Sequence, residues 1–320
     1  MRLRAAAFAC LMMAGLAGPV WAADEAWRTV LHDGFEGRDF AKDGGLYYKD
    51  NLEQRAGKVE FQHKVVRTGK GALRLSVKAM CPPADESCSE RAEIWERPKL
   101  RTPYDEGMWF GFAVKFEAPV PQDDHRYLIA QWKREISPGA EGDFSPFLAL
   151  RMFRGKLFAT VETNVLPAVS EDRSGGVASC KPGQTPAWLR PDTNQTRAIV
   201  ATDASFAPRD GAMFQSCVDQ ITLTQRGAKL PDPKSGWIDF VIYTRPGPDG
   251  TGHIEIFANE KWVVSVIGHI GHGDKGLGSN QYFKFGPYRA GAPKPWALYY
   301  DDFRRGPRCA DVMARALCPF

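Results

Sequence analysis

The chain has 320 residues, 43% hydrophobic, 25% charged and 12% aromatic, with 31 Gly and 23 Pro. That balance excludes a disordered tail, a coiled coil and a polytopic membrane protein, and favours many short strands over long helices. The formal charge is only +4, so composition does not point to a nucleic-acid partner, and any affinity for an anionic ligand must be local.

The N-terminus begins with Arg2 and Arg4, an apolar run over 5–20, and small residues at Ala22 and Ala23. This is the pattern of an export signal over 1–23. A membrane anchor fits less well, because the run is short and ends in Gly18-Pro19. No later segment has 18 uninterrupted apolar residues, so no membrane partner is expected. Without Arg2 and Arg4 the chain has 40 basic and 38 acidic residues, a net of +2. Residues 24–320 are expected to form one secreted or periplasmic domain, acting as a monomer.

Period-two alternation then recurs at 59–66, 72–78, 108–116, 127–133, 147–153 and 157–161. It returns at 238–243, 253–257, 262–267, 282–288 and 297–303. The separators are rich in Gly, Pro and Asp, as strand connections should be. Helical spacing is confined to 309–317 and parts of 192–206. The pattern predicts an all-β protein, a two-sheet antiparallel sandwich or jelly roll. Between 164 and 237 the alternation fades. That stretch reads as an insertion at about 165–236, a lid or small lobe bordering the functional face.

Besides Cys10 there are six cysteines. Proximity favours Cys81–Cys88 and Cys309–Cys318, leaving Cys180–Cys217 to close a larger loop. None has C-x-x-C spacing, so structural disulfides in an oxidising compartment are expected.

Three segments carry chemistry on one face. In YFKFGPY, 282–288, alternation puts Tyr282, Lys284, Gly286 and Tyr288 on one side, and Phe283, Phe285 and Pro287 toward the core. Gly286 then leaves room for a ligand. In YLIAQWK, 127–133, Tyr127, Ile129, Gln131 and Lys133 share the outer face. In SERAEIWER, 89–97, Arg91, Glu93, Trp95 and Arg97 do so. Any one of these alone reads as a solvated strand face; the three together describe a binding groove.

These residues resemble a known family. RAE at 91–93, AQWK at 130–133 and YFKFGPY at 282–288 look like the three motif strands of jelly-roll polysaccharide lyases. Heparin lyase I and its relatives, glucuronan lyase and jelly-roll alginate lyases carry comparable R-x-E, Q-x-H and YFK-x-G-x-Y strands. The segment GWIDFVIYTRPGPDGTGHIEIFANEKWV, 236–263, also resembles the heparin lyase I-like group, and the likeness spans roughly 30–305. It implies a concanavalin A-like two-sheet jelly roll that cleaves an acidic, uronic-acid-containing polysaccharide by β-elimination. It implies that Tyr288 is the base, the acid, or both. Arg91 and Gln131 would meet the uronate carboxylate, and Lys284 would favour the Tyr288 phenolate. Glu93, Tyr282 and Tyr127 would contact substrate.

One position departs from the pattern. Where the family has His, this chain has Lys133. Either Lys133 neutralises the carboxylate or acts as base, or the role passes to His63 or His125. Asn164 is a strand-end cap or a substrate contact. His269 and His272 read as a mobile loop, with metal binding the lesser alternative. No cofactor is required by the chemistry. A structural calcium ion is imaginable where Asp33 meets Asp301 and Asp302, although no ordered ligand spacing supports it.

Two other functions compete on the same fold. Retaining jelly-roll hydrolases place paired carboxylates on one strand face. Glu90, Glu93 and Glu96, spaced by three, put Glu93 opposite the other two, so that motif fails. A non-catalytic carbohydrate-binding protein would use the aromatics without needing Tyr288, Lys284, Arg91 and Gln131 to converge.

Overall fold

Alternating apolar and polar residues build two antiparallel sheets in the computed structural model, which describes residues 25–82, 88–140, 144–164, 180–273 and 275–320. The export signal over 1–23 and Cys10 lie outside the described residues. With strands numbered in chain order, the first sheet runs β15 (Ile221–Gln225), β18 (Lys261–Ile270), β17 (Gly247–Ala258), β16 (Trp237–Arg245), β8 (Met108–Phe116), β20 (Trp296–Gly306), β4 (Ala72–Val77) and β3 (Gly57–Gln62). In this sheet β1 (Leu31–Asp33) also pairs with β20. The second runs β14 (Ser216–Val218), β12 (Thr185–Arg190), β13 (Gln195–Thr202), β11 (Lys156–Thr163), β10 (Leu148–Phe153), β9 (Tyr127–Ile136), β19 (Leu277–Ala290), β6 (Ile94–Glu96) and β2 (Leu46–Tyr48). Here β5 (Ser89–Arg91) and β7 (Thr102–Pro103) also pair with β19. Helix among the described residues is limited to short 3₁₀ turns. The expected all-β jelly roll is the observed one.

The inner faces of the two sheets meet in an aromatic core. Phe283 packs 5.0 Å from Phe110 and 4.7 Å from Trp132, while Phe285 lies 4.8 Å from Tyr300. Each such side chain contributes about 1.5–3 kcal/mol by leaving water. A buried ion pair links the sheets as well. Arg305 on β20 meets Glu96 on β6 at 2.6 Å, and the Phe283 amide donates to the same carboxylate at 2.5 Å. Disulfides join Cys81–Cys88, Cys180–Cys217 and Cys309–Cys318, the pairing that proximity favoured.

Four local features differ from the sequence pattern. Residues 195–202 form strand β13, not helix, and all but the last are buried. A strand covered on both faces has no alternation to read. The stretch read as an insertion supplies β12 to β15, of which β12 to β14 join the second sheet and β15 the first. The 309–317 segment forms two 3₁₀ turns, Cys309–Asp311 and Arg315–Leu317. Finally, Ala130 and Leu128 stand opposite Leu150 and Arg151, so β9 carries an extra residue at Ile129. This bulge reverses the phase of the strand's start, turning Tyr127 and Ile129 into the core.

Phe283→Ala should lower the free energy of unfolding by about 3–5 kcal/mol, because five aromatic neighbours, Phe110, Phe112, Trp132, Phe285 and Phe303, lose their packing partner. Urea denaturation checks this; a loss below about 1 kcal/mol would contradict the described core.

Candidate active site

Glu93 lies between β5 and β6 and is 1% exposed. The chain that alternation reads as one strand over 89–97 breaks here, because Glu93 is gripped from outside the ladder. Its amide donates to Gln54 Oε1 at 3.0 Å, and Gln54 Nε2 returns a bond to the Glu93 carbonyl at 3.2 Å. A carboxylate buried this deeply needs donors. It receives them from Lys284 Nζ at 3.0 Å, Arg91 Nη1 at 3.4 Å and Gln131 Nε2. The register brings them together, since Lys284 stands directly between Gln131 on β9 and Trp95 on β6.

Gly286 makes this approach feasible in a way the sequence pattern misassigned. Its φ is +130°, and a Cβ there would lie 2.1 Å from the Ala92 carbonyl oxygen. The glycine leaves room for backbone, not for a ligand.

Two residues past that glycine, Tyr288 pairs with Arg91 across the ladder. The Arg91 guanidinium lies 4.0 Å from the phenol ring centre, and Arg126 lies 5.2 Å from it. Arg126 Nη2 donates to Tyr288 Oη at 3.2 Å, and Arg91 Nη2 also reaches Glu53 at 2.8 Å. The cations at the phenol are therefore these two arginines. Lys284, expected beside Tyr288, is drawn to Glu93 and lies 4.2 Å from the centre of the Trp95 ring. Burial pushes its ammonium down to about 7, opposed by Glu93 and assisted by Arg91 and Lys133.

The remaining candidates divide. Lys133 pairs with Tyr282 and shares the face of Gln131. Tyr282 stacks on Trp95 at 5.4 Å beneath the Arg101 guanidinium, and burial raises its pKa. Tyr127, expected on this face, instead packs edge-on to Trp296 at 4.7 Å and donates to Asp123, because of the bulge at Ile129. His63 is also misplaced, following β3 at the edge of the other sheet and bonding the Lys70 carbonyl at 2.6 Å. His125 sits 3.2 Å from Asp123, and its neighbour Arg126, not its own ring, reaches Tyr288. Asn164 accepts from the Gly273 amide at 3.3 Å, a strand-end contact. His269 lies within β18, and His272 is 1% exposed with Nε2 3.1 Å from the Ser145 carbonyl, so neither belongs to a mobile loop.

Two arginines were missed by the motif reading. Arg126 precedes β9 and carries no pattern of its own. Arg151 does carry one, as a lone charge in the apolar run LALRMF of β10. The expected meeting of Asp33 with the last strand does occur, for β1 pairs with β20. However, Asp33 accepts from the Phe35 and Ala41 amides, and Asp301 from those of Arg67 and Thr68. Among the described residues no group of three or more His, Cys, Asp or Glu is arranged to hold a metal.

The model of the polysaccharide lyase family matches residues 26–304. Among solved structures, an endo-β-1,4-glucuronan lyase from the fungus Trichoderma reesei aligns with a TM-score of 0.55 and 16% identity, covering 89% of this chain and 97% of its own. An alginate lyase aligns with a TM-score of 0.44 and 11% identity, covering 86% and 96% respectively. At 16% identity the likeness to the glucuronan lyase speaks for the fold alone. No curated protein sequence matches the chain.

Lys284 should leave a signature in stability. Folded, it loses its proton near pH 7; unfolded, it keeps it to about 10.5. In that window the unfolded chain holds the extra proton, so stability rises with pH. Between pH 7 and 9 the gain should be about 2 kcal/mol in the parent and absent in Lys284→Met. Urea unfolding at both pH values tests this; equal slopes in the two proteins would refute the assignment.

Proposed function

The chain belongs to the polysaccharide lyase family, and from that premise we propose that it cleaves a uronic-acid-containing polysaccharide by β-elimination, leaving unsaturated uronate ends. We place it with the heparin lyase I-like group, on the motif strands and the 236–263 segment. The export-signal pattern over 1–23 and the three disulfides support action outside the cytoplasm. The near-neutral net charge favours a plain uronan over a heavily sulfated chain.

The observation that carries this reading is the Tyr288 hydroxyl, 3.2 Å from Arg126 and on the same face as Gln131, Lys133 and Lys284. In the reaction the bond from C5 to hydrogen breaks and its electrons are held by C5 and the adjoining carboxylate. They form the C4–C5 double bond as the C4–oxygen bond breaks, and the leaving oxygen takes up a proton. Tyr288 takes the C5 proton, and, once it holds it, is placed to deliver it to the leaving oxygen. Arg91 and Arg126 offset the negative charge on the phenol oxygen. Lys133 faces the charge that grows on the uronate carboxylate. Glu90 and Glu96, the other acids of the 89–97 segment, are consumed by Arg289 and Arg305, which leaves a hydrolase no paired carboxylates on that segment.

A panel of uronic-acid polymers followed by ultraviolet absorbance tests the reaction, since elimination creates a conjugated uronate and hydrolysis does not. The parent should gain absorbance on at least one polymer. New reducing ends without absorbance would make it a hydrolase, and binding without either would make it a lectin. Tyr288→Phe should lower kcat by about 10²–10⁴-fold while oligosaccharide binding persists.

A second series addresses the family's missing histidine. Lys133→Met should lose most turnover with the fold intact, Lys133→Arg should lose less, and Lys133→His should retain activity. Full activity in the Met variant, measured by the same absorbance assay, would pass the role to His125.

A further inference from the structure

Four arginines among the described residues are buried: Arg151, Arg197, Arg289 and Arg305. Three have a carboxylate. Arg197 pairs with Glu162 at 2.5 Å, Arg289 with Glu90 at 2.7 Å and Arg305 with Glu96 at 2.6 Å. Arg151 does not. It is 3% exposed, and its one hydrogen bond runs from Nε to the Thr160 hydroxyl at 2.8 Å. Its two Nη atoms have no acceptor among the described residues. Burial and then Arg197 push its pKa well down, with Arg126 acting in the same direction, and the charges of Glu162, which Arg197 already holds, and of Tyr288 only partly oppose them. A buried guanidinium with no carboxylate bonded to it is costly, and a ligand carboxylate that reached its two Nη atoms would relieve that cost.

Its position says what that ligand touches. Arg151 pairs with Leu128 across β9, and Leu128 pairs with Tyr288 across β19. The three form one row, so Arg151 and Tyr288 are two strand spacings apart, about 10 Å between backbones. Their long side chains rise from the same face and feel one another's charge. Meanwhile Arg91 already serves Glu53 and Glu93, and Gln131 serves Glu93. The two residues that the motif reading assigned to the uronate carboxylate are thus occupied.

We propose that Arg151 is the specificity-determining residue of the site, and that its free guanidinium edge receives the carboxylate of the uronate presented to Tyr288. The inference rests on the lyase reading above and deepens it: the site selects an acidic sugar through a fork that matches a carboxylate and leaves a buried charge uncompensated when a neutral sugar enters.

The test uses the Tyr288→Phe chain, which binds without turnover, and measures calorimetric affinity for saturated tetramers of glucuronate and of mannuronate. The same tetramers with carboxyls reduced to alcohols are the neutral controls. Adding Arg151→Met should weaken the acidic tetramer by about 10–100-fold and leave the neutral one unchanged. Arg151→Lys should fall between. Without ligand, Arg151→Met should melt at the same or a higher temperature, because an uncompensated buried charge has gone. Equal weakening of acidic and neutral tetramers, or unchanged affinity for the acidic one, would overturn the proposal. If the Met variant does not fold, loss of discrimination in Arg151→Lys decides the matter. If neither acidic tetramer binds the Tyr288→Phe chain at all, it is the uronate reading itself that has failed.

Discussion

Glu93 cannot remain buried unless its charge is met, and the groove is organised by that requirement. The donors come from three strands: Arg91 from β5, Gln131 from β9 and Lys284 from β19. Removing any one leaves a desolvated charge short of a partner, which costs about 3–5 kcal/mol for a buried pair. The register between β9 and β19 is therefore fixed by electrostatics on the outer face as well as by Phe283 and Phe285 on the inner one. Gly286 lets the Ala92 carbonyl close on β19, and that contact sets where Tyr288 emerges.

The neighbouring acids show why the spacing of three in Glu90, Glu93 and Glu96 matters. Glu90 and Glu96 take buried arginines of their own, Arg289 on β19 and Arg305 on the opposite sheet. Glu93 alone is bonded to the cluster of groove side chains. One short segment thus anchors the sandwich with two carboxylates and organises the groove with the third. This division follows from alternation, and it disposes of paired-carboxylate chemistry on that segment by using the acids elsewhere.

Most of the architecture was legible because half-buried strands announce themselves. The alternation at 238–243 falls within β16, whose burial alternates along its first residues, and the three motif segments all lie on the second sheet. Where legibility failed, a physical cause can be named. The β13 strand is covered on both faces, so its alternation vanishes. Tyr127 was placed on the wrong side because a bulge adds a residue without marking the sequence. His63 carried suitable chemistry but sits in the other sheet, a separation set by topology and invisible to local pattern. Arg126 reaches the phenol from a connection whose path only the folded chain defines. Arg151 was different. A charge inside an apolar strand run is visible in sequence, but whether it has a partner is not.

That distinction separates two kinds of cation on the groove face. Lys284 and Arg91 are spent on Glu93 and Glu53, and Arg197 on Glu162; these pairs hold strands together and return little field to the solvent. Arg126 touches only the phenol, and Arg151 only a hydroxyl. A chain whose formal charge is only +4 can therefore present available cations without a basic patch. What matters is not how many cations the face carries but which of them the protein leaves uncompensated. Arg126 is exposed, but desolvation makes the Arg151 charge cost stability in the free protein and strengthens its attraction for a carboxylate. Tyr288 and Arg151 stand on one row of the sheet, so if Arg151 receives the uronate carboxylate as proposed, it also turns the sugar toward the Tyr288 phenol.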